Sequence, residues 1–491
     1  MKLPMLARSL VASTLLSAVS LGADEPVTIF VVRHADRPSD DRLTPTGLQR
    51  AEELSESLRS VSLDSVFSTR TVRTMQTAAP SALASGVEIT PYGGSWMPGD
   101  WTRFVERLTS GEAGSNVLVV GHSNTVPQIL ELLGVEARSA ETYGDLFVVT
   151  LQDGAARLAV RRVEVIEHVG STDFTGDITA PTDLSAIAST EDGAFVVVGS
   201  DEMHEGTKTN RLDILRRRDT DYVWAHAIEV PVDGEDDEID IEAITRHGAS
   251  NVFYAVGSHS YVRKNVTNRP RSYEKNWERF IEDSPDPRPS RDRLVRLEID
   301  AGTGELLGAV QDVRGLRKKL DEEDVFEHFG EIPSKENGID IEGLASDGKS
   351  LFVGFRGPVF RFGFAPVLVF EPERVRQAEL RFVALDGRGI RDMARVEGGF
   401  LVLAGAIGDS ALSQAIYFWN GETCFPGARE DGDPPVGVSV RLGGIGTPAG
   451  GKAEGLLLLS ETDEHYELLV IYDGVAGGAP TRLRARRPEL P

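Results

Sequence analysis

Val27–Val32 reads VTIFVV and runs directly into Arg33, His34, Ala35 and Asp36. A short β-branched run with no polar alternation predicts a strand buried on both faces. Arg33 and His34 then stand at its C-terminal end. Outward from here the chain alternates. Thr46–Arg59 (TGLQRAEELSESLR) predicts a helix with Leu48, Ala51, Leu54 and Leu58 on one face. Leu63–Phe67 reads as a strand, Val72–Ala84 as a helix, Val87–Thr90 as a strand and Trp101–Leu108 as a helix. Val117–Val120 (VLVV) is a second buried strand and a helix follows at Val126–Leu133. Leu146–Leu151 and Leu158–Val165 read as closing strands. Strands alternating with helices predict an α/β three-layer sandwich over residues 24–165.

Beyond Val165 helical periodicity fades and short apolar strands with Gly, Asp and Pro turns take over. A degenerate repeat runs through this part. DLSAIA (183–188) precedes FVVVGS, DIEAIT (240–245) precedes VFYAVGS, and DIEGLA (340–345) precedes LFVGFRG. IRDMA (390–394) precedes FLVLAGA, and AEGLL (453–457) precedes LLLSETD. Such repetition predicts that residues 166–491 form an all-β domain, a β-propeller, rather than a β-sandwich or β-helix. Residues 265–289, rich in Arg, Pro and Glu, read as an insertion in that domain, a lid or a solvated loop.

At 491 residues the chain exceeds one ordinary core, in agreement with two domains. The formal charge is −25. Residues 24–165 carry 13 Lys+Arg against 19 Asp+Glu, so most of the negative charge lies beyond them. Such a surface repels nucleic acid and anionic lipid, and neither is an expected partner. Cys424 is the only cysteine, which excludes an intramolecular disulfide and a thiolate metal cluster. Residues 1–23 read as a signal peptide. Lys2 and Arg8 precede an apolar stretch, Leu10–Leu21, too short to span a bilayer, with small residues placed for cleavage after Ser20, Gly22 or Ala23. The expectation is an exported protein, periplasmic or secreted, with no membrane association once the peptide is cleaved.

Three short motifs carry chemistry. VVRHAD (31–36) places Arg33 and His34 at a strand end. STRTVRTMQTA (68–78) places Arg73 in the first turns of a helix. VVGHSNT (119–125) places His122 past the second buried strand, with Ser123, Asn124 and Thr125 offered as caps. Ligands of open α/β sheets bind at the C-terminal ends of strands, so these side chains are expected to converge. Phosphoryl transfer asks chiefly for positioning and for positive charge around the equatorial oxygens. Two arginines offer planar, bidentate, permanently charged donors. A neutral imidazole can accept the phosphoryl group, and water can then cleave the phosphohistidine. This scheme uses no metal or other cofactor.

These residues resemble the histidine phosphatase superfamily, with its phosphoglycerate-mutase-like fold, over nearly all of residues 27–151. LTPTGLQRA (43–51) resembles the family's segment after its first motif. The resemblance implies that His34 is the nucleophile and that Arg33, Arg73 and His122 form the phosphate pocket. Two departures stand out. Ala35 replaces the glycine usual after Arg-His, a variant that small bacterial members share. The acid for the leaving group is also not evident. Many members take it from the segment matching 86–101, which here offers Glu88 and Asp100. Asp100, beside Trp101, is the better candidate, because Glu88 falls in a strand; Asp36 also lies near the motif. Without an acid, good leaving groups are favoured: acyl phosphates, phosphoramidates or aryl phosphates.

The C-terminal part resembles an uncharacterised family of bacterial propeller domains related to esterase-like phytases. The carrying residues are the Asp-Ile-Glu motifs at 240–242 and 340–342, Gly-Ser-His-Ser at 257–260 and Ala-Glu-Gly at 453–455. If the repeated acids point to a central channel, Asp240, Glu242, Asp340, Glu342 and Glu454 form a carboxylate ring suited to Ca²⁺ or a cationic ligand. The expected role is nevertheless structural, each acid tying its own blade turn to backbone N–H groups. The leading function is an exported phosphomonoesterase acting on a small phosphorylated substrate. Its propeller would bind substrate, another ligand or a protein partner. Two alternatives stand beside it: a metal-dependent phytase-like or esterase-like hydrolase in the propeller, and a non-catalytic binding protein. Export argues against a mutase or a phosphohistidine-protein phosphatase.

Overall fold

A computed structural model describes residues 26–93, 101–204, 209–232, 238–264, 266, 272–281, 285–408, 412–427, 437–446, 448 and 450–490. The expected signal peptide, residues 1–23, and Asp100 lie outside them. The chain divides into two compact units between Arg162 and Val163. Val163–Val165, assigned from sequence to the last strand of the first domain, belong to the second unit. Among the described residues no helix is long and apolar enough to cross a membrane.

The first unit contains strands β1 (Val27–Arg33), β2 (Ser65–Ser68), β3 (Ile89–Pro91), β4 (Asn116–Gly121), β5 (Asp145–Gln152) and β6 (Ala155–Arg162). Its helices are α1 (Pro45–Ser57), α2 (Val72–Ser85), α3 (Trp101–Thr109) and α4 (Thr125–Leu132). One sheet has the order β3-β2-β4-β1-β5-β6. The first four of these run parallel, and β5 and β6 are antiparallel additions. Ile29, Val31, Val117, Val119, Phe147 and Val149 pack on Val105 and Leu108 of α3 and on Val126, Ile129 and Leu130 of α4. The helices α1 and α2 pack together, with α2 against β2 and β4. This is the α/β three-layer sandwich read from the alternating pattern.

Of the expected apolar face of α1, Ala51, Leu54 and Leu58 are buried and Leu48 is the exception. Leu48 is 47% exposed, and Gly47 is buried in its place with Ala51 and Leu54. A Cβ at Gly47 would lie 2.0 Å from the Asp36 carbonyl oxygen. Close approach of the helix to the segment after β1, rather than a leucine stripe, sets its rotation.

The second unit is a five-bladed propeller. Its inner strands are Leu184–Ser189, Ile241–Arg246, Asp340–Ser346, Gly389–Val396 and Lys452–Glu461. Each begins a separate sheet. Neighbouring inner strands touch around a closed ring, the last against the first. The fifth blade takes its outermost strand, Glu167–Ser171, from the start of the domain, so that the two chain ends of the unit share one sheet. This pairing ties the start of the unit to its last blade and closes the propeller, which leaves only short sheet edges.

The five sequence copies mark these inner strands, with one correction. LLLSETD is not the second strand of the fifth blade. It finishes the long inner strand, and the partner is His465–Asp473. The 265–289 insertion contains a helix, Tyr273–Ile281, and is closed by pairing of Tyr261–Val262 with Asp286–Pro287. A second helical excursion, Leu316–Glu322, escaped the sequence reading because seven residues are too few for a periodic signal.

Candidate active site

Register builds the site. Arg33 pairs with Gly121 across the parallel strands β1 and β4, and the His34 amide donates to the Gly121 carbonyl at 2.9 Å. His34 and His122 therefore leave adjacent strands at the same level. Their rings meet with centroids 5.5 Å apart and planes at 66°. Arg73, the second residue of α2, completes the group by donating from Nη2 to His122 Nδ1 at 3.2 Å. All four residues expected to form the pocket thus come together.

The His34 ring has one usable orientation. Its Nδ1 lies 2.8 Å from the Ala35 carbonyl oxygen, which can only accept. The ring proton therefore sits on Nδ1 and Nε2 carries the lone pair. The side chain is 3% exposed. Burial, and then the charges of Arg33 and Arg73, hold its pKa down to about 4 against the bond to Ala35. At neutral pH it is an uncharged imidazole with a free nitrogen, the form a nucleophile requires.

His122 takes the opposite tautomer. Arginine only donates, so Nδ1 accepts from Arg73 and the proton is on Nε2. That proton goes to Thr69 Oγ1 at 2.8 Å. Thr69 Oγ1 lies 2.9 Å from Thr74 Oγ1, whose own hydroxyl donates to the Thr69 carbonyl. The chain of donors runs in one direction and ends on backbone. Burial, and then Arg73, lower this histidine to about 4 as well.

The arginines are held from outside. Arg33 donates from Nη1 to the carbonyls of Ala140, at 3.3 Å, and Glu141. Its guanidinium lies 4.2 Å from the centre of the Tyr143 ring. Arg73 is paired with Asp41, whose other oxygen accepts from the Val72 amide at the start of α2. Both arginines retain a buried Nε with no hydrogen-bond partner among the described residues. Two buried, cationic N–H donors beside a nucleophilic nitrogen suit a tetrahedral dianion.

Sequence reasoning missed Thr69, Asp41, Tyr143 and Thr77, which accepts from the Ala35 amide at 2.9 Å. Thr69 and Thr77 lie inside the quoted STRTVRTMQTA motif. Tyr143 precedes β5 with no signal that sets it apart. Among the expected caps, Asn124 makes no side-chain capping bond; Thr125 Oγ1 instead accepts from the His122 amide at 2.8 Å.

The acid candidates fare differently. Asp100 lies outside the described residues. Glu88 is exposed and precedes β3, at the N-terminal edge of the parallel strands and so opposite the site. Asp36 is committed to Arg50, at 2.6 and 3.2 Å.

Residues 183–487 match the model of a family described as protein of unknown function (DUF3616), a span of more than half the chain. The chain belongs to that family. The DUF3616 region opens just before the first inner strand and takes in the inner strands of all five blades, but not Glu167–Ser171, the outermost strand of the fifth. Separately, residues 29–93 match the histidine phosphatase superfamily (branch 1). That match contains Arg33, His34 and Arg73 and stops short of His122. The N-terminal unit ahead of the DUF3616 region is thus a histidine phosphatase superfamily domain. No curated protein matches the sequence.

Several solved structures are similar to the N-terminal unit. The protein histidine phosphatase SixA complexed with tungstate is 20% identical, over 28% of this chain and 97% of that one, with a TM-score of 0.24. Phosphoglycerate mutase from Bacillus anthracis str. Sterne is 16% identical over 28% and 93%, with a TM-score of 0.23. The alpha-ribazole phosphatase from Shigella flexneri is 18% identical over 28% and 96%, also at 0.23.

The propeller places its predicted acids together. Asp240, Glu242, Asp340, Glu342 and Glu454 are all buried near the start of their inner strands. The expected bonds from these acids to blade-turn amides are not what holds them. Arg291 pairs with Asp240 at 2.7 Å, Arg356 with Asp340 and Glu342, and Arg391 with Glu342 and Glu454 at 3.0 and 2.7 Å. The tying role falls to Asp392, which accepts from the amides of Met393 and Leu456, each at 2.7 Å.

Proposed function

We propose that the protein is an exported phosphomonoesterase that works through a phosphohistidine at His34. The observation that carries this reading is the state of His34: neutral, its Nδ1 proton fixed on the Ala35 carbonyl, its Nε2 free beside two arginines. Export rests on the reading of residues 2–23 as a signal peptide.

In the first step Nε2 forms a bond to phosphorus as the bond to the leaving oxygen breaks. Arg33, Arg73 and His122 hold the equatorial oxygens, and Arg73 exchanges its bond to His122 Nδ1 for one to phosphate. In the second step water attacks phosphorus. The N–P bond breaks, its electron pair returns to Nε2, and the water proton passes to solvent. Among the described residues neither Glu88 nor Asp36 is placed to protonate the leaving oxygen. A leaving group stable as an anion needs no such proton, so acyl, aryl and phosphoramidate substrates fit this site. Asp100 is proposed as the acid for poorer leaving groups.

The test is hydrolysis of an aryl phosphate and an acyl phosphate by the purified protein, with and without EDTA, beside His34→Ala. Turnover that resists EDTA and falls by at least ~10³-fold in the variant supports the mechanism. A radiolabelled phosphoenzyme stable to base and labile to acid would identify the adduct. Activity that survives His34→Ala and disappears with EDTA would place a phytase-like or esterase-like hydrolase in the propeller instead. Phosphate binding without turnover would make the domain a binding module.

A further inference from the structure

The inner strands share an irregularity that the repeat did not reveal. Each skips a residue near its start in pairing with its neighbour in the blade. The skipped residues are Ser185, Glu242, Glu342, Arg391 and Glu454, one per blade at equivalent places. A β-bulge frees a residue from the ladder and re-aims its side chain. Here the side chains meet one another across blades. Arg391 joins Glu342 on one side to Glu454 on the other. Ser185 Oγ donates to the Ile241 carbonyl of the next inner strand at 2.5 Å. The five bulges therefore form a ring around the propeller axis.

Charge in this ring does not balance. Its acids Glu242, Glu342 and Glu454 are joined by the neighbouring carboxylates of Asp201, Asp240 and Asp340. Among the described residues, only Arg291, Arg356 and Arg391 pair with them. The deficit is localised on Glu242. It is 9% exposed, and among the described residues it has neither a hydrogen bond nor an ion pair. One oxygen each of Glu242, Asp340 and Glu342 lie within 4.8 Å of one another. Asp201 adds a buried Oδ1 with no hydrogen-bond partner among the described residues. A buried carboxylate without a partner is costly unless a proton or a cation joins it.

We propose that Glu242, Asp340 and Glu342 bind one divalent cation of the Ca²⁺ type on the propeller axis, with Asp201 and Asp240 as its outer acidic shell. Oxygens bound to one Ca²⁺, each at about 2.3–2.6 Å, lie at most about 5 Å apart, which the observed spread satisfies. An all-carboxylate set selects a hard ion over Zn²⁺ or Cu²⁺. Arg356 and Arg391 hold Asp340 and Glu342 in place, and Glu242 supplies the charge that they leave unanswered. The site is independent of His34 and of the phosphatase chemistry.

The test uses full-length protein stripped with chelator and titrated with CaCl₂ by calorimetry, then melted in Ca²⁺ and in EDTA. Binding of one Ca²⁺ per chain, with a higher melting temperature, is expected in the wild type and in His34→Ala. Glu242→Gln should weaken binding by at least tenfold while melting, in EDTA, at or above the wild-type temperature, since it removes an unpaired charge. Asp201→Asn should weaken binding several-fold and serves if the first variant does not fold. Absence of saturable Ca²⁺ binding by the wild type overturns the proposal. So does binding that both variants leave within twofold.

Discussion

His34 and His122 face each other edge-on because Arg33 and Gly121, the residues before them, are register partners in neighbouring parallel strands. The relation is set by the hydrogen-bond ladder of a buried sheet and not by a loop. Sites built on such elements hold their geometry more closely than sites built on loops. It also brings together two side chains 88 positions apart in sequence.

The first prediction concerns protonation. His34 is held down to about 4, chiefly by burial, whereas a free histidine titrates near 6.5. A lowered value means that the neutral form persists on acidification and is lost only as pH falls through about 4. An NMR titration of the His34 ring, assigned by loss of the signal in His34→Gln, should give that midpoint. A midpoint near 6.5 would mean that the ring is solvated and that the closed environment described here is wrong.

A second prediction separates charge from geometry at Arg33. Lysine keeps the charge but cannot fork between the Ala140 and Glu141 carbonyls and a phosphate, nor lie flat on Tyr143. Arg33→Lys should lower kcat/KM for an aryl phosphate by about 10²-fold. Tyr143→Leu, which removes only the stacking surface, should cost about 10-fold or less. Steady-state kinetics on both variants check this; an Arg33→Lys enzyme within twofold of wild type would remove Arg33 from the phosphate pocket.

How far the sequence could be read follows from these same residues. VTIFVV and VLVV are apolar on both faces, and this alone marks central parallel strands; the motifs at their ends then fix the site. Leu48 misled because Gly47, with no side chain to read, takes the buried place beside Ala51 and Leu54. Tyr143 was silent because nothing local distinguishes an aromatic that stacks on an arginine from one in solvent. The propeller repeat was visible in its Asp-Ile-Glu copies, but the ring was not. Its members are a serine, three glutamates and an arginine, and a bulge is defined by pairing, which no single strand displays.

A third prediction tests the packing behind His122. A Cβ on Gly121 would lie 2.6 Å from Thr125 Oγ1 and 2.8 Å from Tyr92 Oη. Both atoms are engaged, the first by the His122 amide and the second with the Val120 carbonyl. Gly121→Ala should destabilise the N-terminal unit by about 1–3 kcal/mol. It should also lower kcat/KM, because relief requires moving the turn that carries His122. Adding Tyr92→Phe, which deletes one of the clashing atoms, should recover part of the stability in urea melts. No recovery would mean that the clash is relieved elsewhere.

The last prediction concerns the acid that does tie blades together. Asp392 is 1% exposed and accepts from its neighbour Met393 and from Leu456 in the inner strand of the fifth blade. Removing the carboxylate leaves two buried amides without an acceptor, each costing about 1–3 kcal/mol. Asp392→Ala should therefore destabilise the propeller by roughly 2–6 kcal/mol, and hydrogen exchange at the Leu456 amide should accelerate with it. Asp392→Asn keeps one carbonyl oxygen and should lose about half as much. The contrast with Glu242 is informative, since both are buried acids of the same ring of strands. Asp392 is satisfied by backbone and its loss should be costly in any solution. Glu242 has no hydrogen bond or ion pair among the described residues, and its neutralisation should cost stability only when Ca²⁺ is present. Equal losses for the two variants in EDTA would show that Glu242 also serves the fold, and the distinction between a tie and a ligand would fail.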